Sequence, residues 1–381
     1  MEFSGLYIHI PFCKSKCFYC DFFSISQLGR KKDLVEALTL EMKTERSFLG
    51  TKRPVLRTIY FGGGTPSLLD QADFESLFFT IESFYDISYC EEITIEANPD
   101  DLSSDYIRML RGLPFNRISI GVQSFEENEL KAINRRHTAL QASEAIEDCK
   151  RSGFDNISLD LMYGLPGQTL ESFKNSIDVA LKLPVKHISS YALSWEEGSV
   201  LFEKREQGLL VQTEDEILEA CYFALIKRLE SRQFIQYELS NFALPGFESR
   251  HNASYWNGIS YLGIGPGAHS YNGLVRRMNV RSVEQYIHGV EEGKPSRETE
   301  NLDLTTRYND FIITRLRTMK GLSLSELGNL FGQEKRDYCM KNAAKSLGNG
   351  FLTIEHDHLR LQKKGYFIAD NILSDLLWVE D

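Results

Sequence analysis

What the chain lacks narrows the field before any motif is read. No apolar run approaches the ~18 residues of a membrane span. The start, Met1-Glu2-Phe3-Ser4-Gly5-Leu6-Tyr7, has neither a basic leader region nor a small-residue cleavage site. A cytoplasmic protein is expected, meeting a membrane only from its surface. No basic block is present, and 54 acidic against 43 basic residues leave a net charge of -11. Nucleic-acid binding needs a cationic face that displaces counterions, so no nucleic-acid partner is expected. There is no internal repeat and no low-complexity segment. The seven cysteines form an odd set without a regular framework, which argues against a secreted disulfide scaffold.

What remains is an ordinary globular composition, 42% apolar and 25% charged. The length allows one sizeable core plus a smaller second domain. Six β-rich runs, at residues 6–10, 58–61, 92–95, 117–120, 157–161 and 187–191, alternate with helical patterns such as Leu34, Leu38 and Met42 on one face. That alternation predicts an α/β fold with a parallel sheet and helical crossovers. Six units are fewer than a closed eight-unit barrel needs, so either a partial barrel or a doubly wound sheet is expected, with chemistry at the C-terminal strand ends.

Beyond that core, a helix is predicted over 214–232, with Ile217, Cys221, Leu225 and Leu229 on one face. A stretch rich in glycine and aromatics follows, and the polar run 291–303 reads as a linker. The tail reads as a small winged-helix-like α+β domain, with Ser323 capping a helix and Glu326 three residues on. The expected domains are 1–236, a connecting segment 237–303, and 304–381. Cys149 and Cys221 fall on helical patterns and read as core residues.

Cys13, Cys17 and Cys20 stand apart. They follow the first strand with Cys-x3-Cys-x2-Cys spacing. Three thiolates on one loop can hold three corners of a cubane iron–sulfur cluster and leave one iron open. That open iron suits the amino and carboxylate groups of S-adenosylmethionine. A zinc site or three buried thiols are the rivals, but zinc favours four ligands in paired clusters, and no second pair is present. His9, on the strand just before the triad, fits either role.

Several motifs in order carry a resemblance. They are Tyr7-Ile8-His9-Ile10-Pro11-Phe12-Cys13, Gly62-Gly63-Gly64-Thr65-Pro66, Glu96-Ala97-Asn98-Pro99, Gly121-Val122-Gln123-Ser124 and Asp160-Leu161-Met162-Tyr163-Gly164-Leu165-Pro166-Gly167. With the triad, they resemble the radical S-adenosylmethionine superfamily, in its branch of oxygen-independent coproporphyrinogen III oxidases and their relatives. The resemblance implies a partial (β/α)6 barrel over 1–236. It implies a 4Fe–4S cluster on the three cysteines and S-adenosylmethionine beside it. By the same resemblance Tyr7 lies next to the nucleoside, and Gly63, Gly64 and Thr65 let backbone approach its methionine part. Glu96 accepts from the ammonium, Arg135 pairs with the carboxylate, and Gln123 and Asp160 hold the ribose hydroxyls.

Two departures divide that branch. True coproporphyrinogen oxidases carry a fourth cysteine two positions after the third, where this chain has Phe22. Arg250-His251-Asn252-Ala253-Ser254-Tyr255-Trp256 resembles the His-Asn-x-x-Tyr-Trp signature of the HemW-type haem chaperones. That resemblance implies haem as cargo, with His251 as an iron ligand in a signature loop, and Tyr255 and Trp256 against the macrocycle. It also implies acceptor haem proteins, membrane respiratory enzymes among them, an electron donor, and a homodimer. Gly263-Ile264-Gly265-Pro266-Gly267-Ala268-His269 adds a second histidine to the same region. The alternatives are oxygen-independent coproporphyrinogen III oxidation and another radical transformation.

Overall fold

The computed structural model describes residues 3–379. Met1 and Glu2, on which part of the reading of the chain's start rests, lie outside them. All six expected strands form: β1 (Phe3–Ile10), β2 (Val55–Gly63), β3 (Glu92–Ala97), β4 (Arg117–Gln123), β5 (Asn156–Tyr163) and β6 (His187–Ala192). They pair in parallel and in chain order. Helices make the crossovers. The helix Gln71–Phe84 is started by a capping box between Asp70 and Asp73. It buries Phe74, Leu77, Phe78 and Ile81 at helical spacing. Phe74 and Phe78 close on Phe61 of β2 with ring centroids 5.7 and 5.4 Å away. Cys149 and Cys221 belong to this core.

The sheet has two ends and does not close. It also runs further than the six units. On the β6 side lie β7 (Ile235–Gln236) and β8 (Asn241–Ala243), with β8 antiparallel to β6. On the β1 side β9 (Tyr261–Ile264) pairs in parallel. Then β10 (His269–Tyr271), β11 (Val275–Asn279) and β12 (Arg297–Asn301) continue antiparallel. This corrects the linker reading of 291–303, because that run holds β12, the outermost strand. Its sequence, Arg-Glu-Thr-Glu-Asn, has no buried residue. A charged edge strand guards against stray pairing and carries no hydrophobic alternation to reveal it.

A buried carboxylate ties this extension to the barrel. Glu41, on the helix Lys31–Glu45, accepts from Gly265 N at 2.9 Å, Asn279 Nδ2 at 2.8 Å and the Tyr286 hydroxyl at 2.5 Å. Burial raises its pKa to about 7, against the pull of those three donors. Replacing Glu41 with alanine takes this acceptor from Gly265 N and the Tyr286 hydroxyl, while Asn279 Nδ2 keeps its bond to Gly265 O. The expected loss is about 3 kcal/mol, measurable as a lower denaturant midpoint at unchanged slope.

The tail is the expected α+β unit. Helices Leu304–Leu316, Leu324–Gly348 and Ala369–Leu376 pack on a three-stranded sheet of β13 (Leu322–Ser323), β14 (Leu352–Glu355) and β15 (His358–Leu361). It has its own core, which includes Tyr308, Leu327, Cys339 and Leu359. Ser323 caps the long helix through Glu326 N at 3.1 Å, while the Glu326 carboxylate turns to Arg315. That helix breaks at Gly332, whose φ is 86°. Among the described residues no helix is long and apolar enough to cross a membrane.

Candidate cofactor site at the strand ends

The C-terminal ends of the strands open into a cavity of about 600 Å³. Cys13, Cys17 and Cys20 lie on its rim, on the loop that leaves β1, and each thiol is partly exposed. The loop is pinned at several points. Cys13 N donates to Ile25 O at 2.9 Å, and Phe18 N to Ile133 O at 3.1 Å. Asn134 Nδ2 donates to Lys16 O at 2.9 Å, and Lys14 pairs with the buried Asp101. Such a loop presents its sulfurs in a fixed order. Burial pushes the Cys20 thiol up to about 11, and its neighbours Cys17 and Cys13 push the same way. Among the described residues no three His, Cys, Asp or Glu side chains are drawn together around one ion. A cubane spreads its ligands over separate irons, so this donor set suits a cluster better than zinc.

His9 takes neither metal role in this arrangement. Its Nε2 donates to Phe23 O at 3.0 Å, so Nδ1 accepts from the Tyr7 hydroxyl at 3.1 Å. Both nitrogens are used, and burial holds its pKa near 4.

Every residue singled out for S-adenosylmethionine reaches the same cavity: Tyr7, Gly63, Gly64, Thr65, Glu96, Gln123, Arg135 and Asp160. The glycines are there because nothing larger fits. Gly63 has φ 111°, and a Cβ on it would come within 2.6 Å of the His9 ring. A Cβ on Gly64 would stand 2.7 Å from Phe12 O and 2.9 Å from Pro11 C. Gln123 ends β4 at φ 72°, after a register shift that follows Gly121. A glutamine held left-handed at a bulge is backbone strain placed at the cavity wall.

Two half-buried carboxylates, Glu96 and Asp160, line the cavity. Glu96 accepts from the Tyr60 hydroxyl at 2.6 Å and from Gly63 N at 3.2 Å. Burial, reinforced by Asp160, raises its pKa to about 7. Burial likewise raises Asp160 to about 6. Arg135 bonds Cys17 Sγ at 3.4 Å and Gly121 O, and its Nε is buried without a hydrogen-bond partner among the described residues. Orphaned donors on a cavity wall are the signature of a missing anionic or polar ligand.

Sequence reasoning missed Arg117 and Tyr60. Arg117 is only 1% exposed, and its Nε and Nη1 have no hydrogen-bond partner among the described residues. It is the buried cation that draws Glu96 and Asp160 back toward ionisation. An arginine opening the strand was the available signal.

The His-Asn-Ala-Ser-Tyr-Trp segment is not a loop. It is the helix Arg250–Trp256, capped by Ser249. His251 reaches the cavity wall but is a filled strut. Its Nδ1 bonds the Thr58 hydroxyl at 2.8 Å and its Nε2 the Tyr255 hydroxyl at 2.8 Å. The ring stacks on Tyr60 with centroids 5.0 Å apart. Burial, then Arg117, lowers its pKa to about 3, so the ring is neutral and both nitrogens are spent. In this conformation both His251 nitrogens are hydrogen-bonded, so iron ligation by His251 requires one of these bonds to open.

An open parallel barrel, a three-cysteine loop after its first strand and a glycine-lined cavity at the strand ends define a radical S-adenosylmethionine protein. The sequence profile described as the Radical SAM superfamily matches residues 7–180, and that of the HemN C-terminal domain matches 302–368. The chain is 38% identical to a Bacillus subtilis protein named heme chaperone HemW, over 97% of this chain and 98% of that one. The Lactococcus lactis protein of the same name is 35% identical over 98% and 97%. The one from Escherichia coli is 30% identical over 97% of each. This chain belongs to the HemW family. Among solved structures, the Escherichia coli coproporphyrinogen III oxidase HemN superposes with a TM-score of 0.83 at 23% identity, over 99% of this chain and 90% of that one. At that identity the likeness speaks for the fold.

Proposed function

We propose that the protein is a haem chaperone on a radical S-adenosylmethionine scaffold. The observation that carries this is full-length identity of 35% and 38% to proteins named heme chaperone HemW. Phe22, at the place of the oxidases' fourth cysteine, supports a carrier over an oxidase. Cys13, Cys17 and Cys20 hold the 4Fe–4S cluster. Gly63, Gly64 and Thr65 run along the methionine part of S-adenosylmethionine, and Tyr7 lies beside it. Glu96 accepts from its ammonium, Arg135 meets its carboxylate, and Gln123 and Asp160 take the ribose hydroxyls. Arg117 keeps the two carboxylates ionisable. When bound, the cluster supplies an electron to the sulfonium. Haem is cargo, passed to acceptor haem proteins that include membrane respiratory enzymes. An electron donor, a homodimer and a cytoplasmic location complete the reading.

Haem titration of the anaerobically reconstituted protein tests it, together with incubation on coproporphyrinogen, dithionite and S-adenosylmethionine. A saturable Soret change with no vinyl-bearing product is expected. Vinyl product would establish the oxidase instead. Adenosylmethionine turnover indifferent to porphyrin, without haem binding, would establish a different radical enzyme.

A further inference from the structure

Three loops meet beside Cys13. The first is the triad loop itself. The second leaves the end of β2 at 62–66, and the third leaves the end of β3 at 97–99. The buried Asp101 ties all three together. It pairs with Lys14 of the triad loop at 2.5 Å and accepts from the Ser67 hydroxyl at 3.2 Å. Gly64 N donates to Ile10 O at 2.8 Å, which lays the second loop against the end of β1. A side chain would prevent that approach, since a Cβ on Gly64 would stand 3.0 Å from Ile10 O and closer still to Pro11 and Phe12. The close approach delivers the next residue, Thr65, to the side of Cys13.

Thr65 is buried, and its hydroxyl lies 3.5 Å from Cys13 Sγ. From the other side Asn98 Nδ2 donates to Thr65 Oγ1 at 3.2 Å. Hydrogen-bond accounting fixes the direction. A hydroxyl carries one hydrogen, and an amide nitrogen only donates. With Asn98 on a lone pair of Thr65, the hydroxyl hydrogen is left for the sulfur, and a thiolate there can only accept. Asn98, Thr65 and Cys13 thus form a one-way chain. The other two sulfurs have donors of other kinds. Cys17 accepts from Arg135, which the reading above also commits to a carboxylate, and Cys20 accepts from the Phe22 backbone. Thr65 is the neutral side chain among the three donors, so its hydroxyl can be removed without a change of charge.

We infer that the Thr65 hydroxyl, aimed by Asn98, raises the reduction potential of the cluster. The inference rests on the reading that Cys13, Cys17 and Cys20 hold a 4Fe–4S cluster. A low-potential reductant of the dithionite class adds one electron to such a cluster, and part of the added charge falls on the cysteine sulfurs. A hydrogen bond to that sulfur stabilises the reduced form more than the oxidised one. Thr65 acts through Cys13, and Asn98 acts through Thr65, so both are positioning residues. Asn98 thereby gains a role that the Glu-Ala-Asn-Pro motif alone did not give it, and two strand-end motifs converge on one thiolate.

The test uses full-length protein, reconstituted anaerobically and free of adenosylmethionine. It is titrated with dithionite in the presence of redox mediators, and electron paramagnetic resonance follows the reduced cluster. Variants are Thr65→Val, which loses the hydroxyl at nearly constant volume, Thr65→Ser, Asn98→Leu, and Thr65→Val combined with Asn98→Leu. Iron content and circular dichroism report loading and folding. Thr65→Val is expected to disfavour the reduced state about tenfold, a fall of about 59 mV for one electron. Thr65→Ser should restore the wild-type potential. Asn98→Leu should give a smaller fall, because the hydroxyl is then free to turn away. The double variant should fall no further than Thr65→Val, since Asn98 acts through that hydroxyl. A wild-type potential in loaded Thr65→Val would overturn the inference and leave the cluster reading standing. So would a potential in Thr65→Ser as low as in Thr65→Val, or additive falls in the double variant. If Thr65→Val does not load, Asn98→Leu decides, and an unchanged potential there overturns the inference. Background iron and sulfide in the wild type would overturn the cluster reading, and the inference with it.

Discussion

Cys17→Ala is expected to abolish cluster assembly while leaving the fold in place. Iron and sulfide should fall from about four per chain to background after anaerobic reconstitution, with loss of the charge-transfer absorbance. Far-ultraviolet circular dichroism should not change. The reason lies in where the thiol sits. Cys17 is partly exposed on a rim loop whose backbone is held by Ile133 O, Ile25 O and the Asn134 side chain, none of which involves its sulfur. Its sulfur accepts from the Arg135 guanidinium at 3.4 Å. Losing one partly exposed sulfur costs about 1 kcal/mol or less in packing. Cys149→Ala is the contrasting control. That thiol is fully buried in the main core with its pKa pushed up to about 12, so its loss should lower stability and spare the cluster. Wild-type iron content in Cys17→Ala would sink the cluster assignment.

The barrel was legible because its strands are apolar runs punctuated by helix patterns, and parallel pairing puts their C-terminal ends together. Cys13 follows β1, Gly63 and Gln123 end β2 and β4, and Glu96 and Asp160 lie in the C-terminal halves of β3 and β5, so one architectural rule gathered them into one cavity. The sheet extension was not legible. β9 and β10 are four and three residues long, and β12 is polar throughout, so neither length nor alternation marked them. Arg117 escaped for a different reason. It sits at the start of β4, the end remote from the chemistry, and only its long side chain brings charge to the floor. The partners of His251 were beyond reach as well. Thr58 lies 193 residues away in sequence, and nothing local predicts that a signature histidine is already satisfied.

Adenosylmethionine affinity should weaken steeply on acidification, because Glu96 must be ionised to attract an ammonium. Burial, with Asp160 pushing the same way, carries its pKa from the ordinary 4.5 to about 7. Above about pH 8 the carboxylate is charged, and Glu96 adds no further pH dependence to binding. Below about pH 7 each further unit should cost up to about tenfold in affinity, since binding must first expel a proton. Glu96→Gln should weaken binding about 100-fold at about pH 8 and flatten that dependence, because the ammonium loses a buried charged partner. The stability of the unliganded protein should slope the opposite way. A carboxyl whose pKa is raised by folding binds its proton more tightly in the native state. Glu96 therefore stabilises the fold below its unfolded pKa near 4.5, and that contribution is lost as pH rises through about 7. The change is at most about 3 kcal/mol, and Asp160 adds to it with the same sign. Calorimetric titration of adenosylmethionine and denaturant unfolding, each run across that range, give the two slopes. Affinity that does not change with pH in the wild type would mean that Glu96 does not face the ammonium. Opposite slopes would show that the site stores its buried charge at a cost to the empty protein and recovers that energy when the sulfonium ligand arrives.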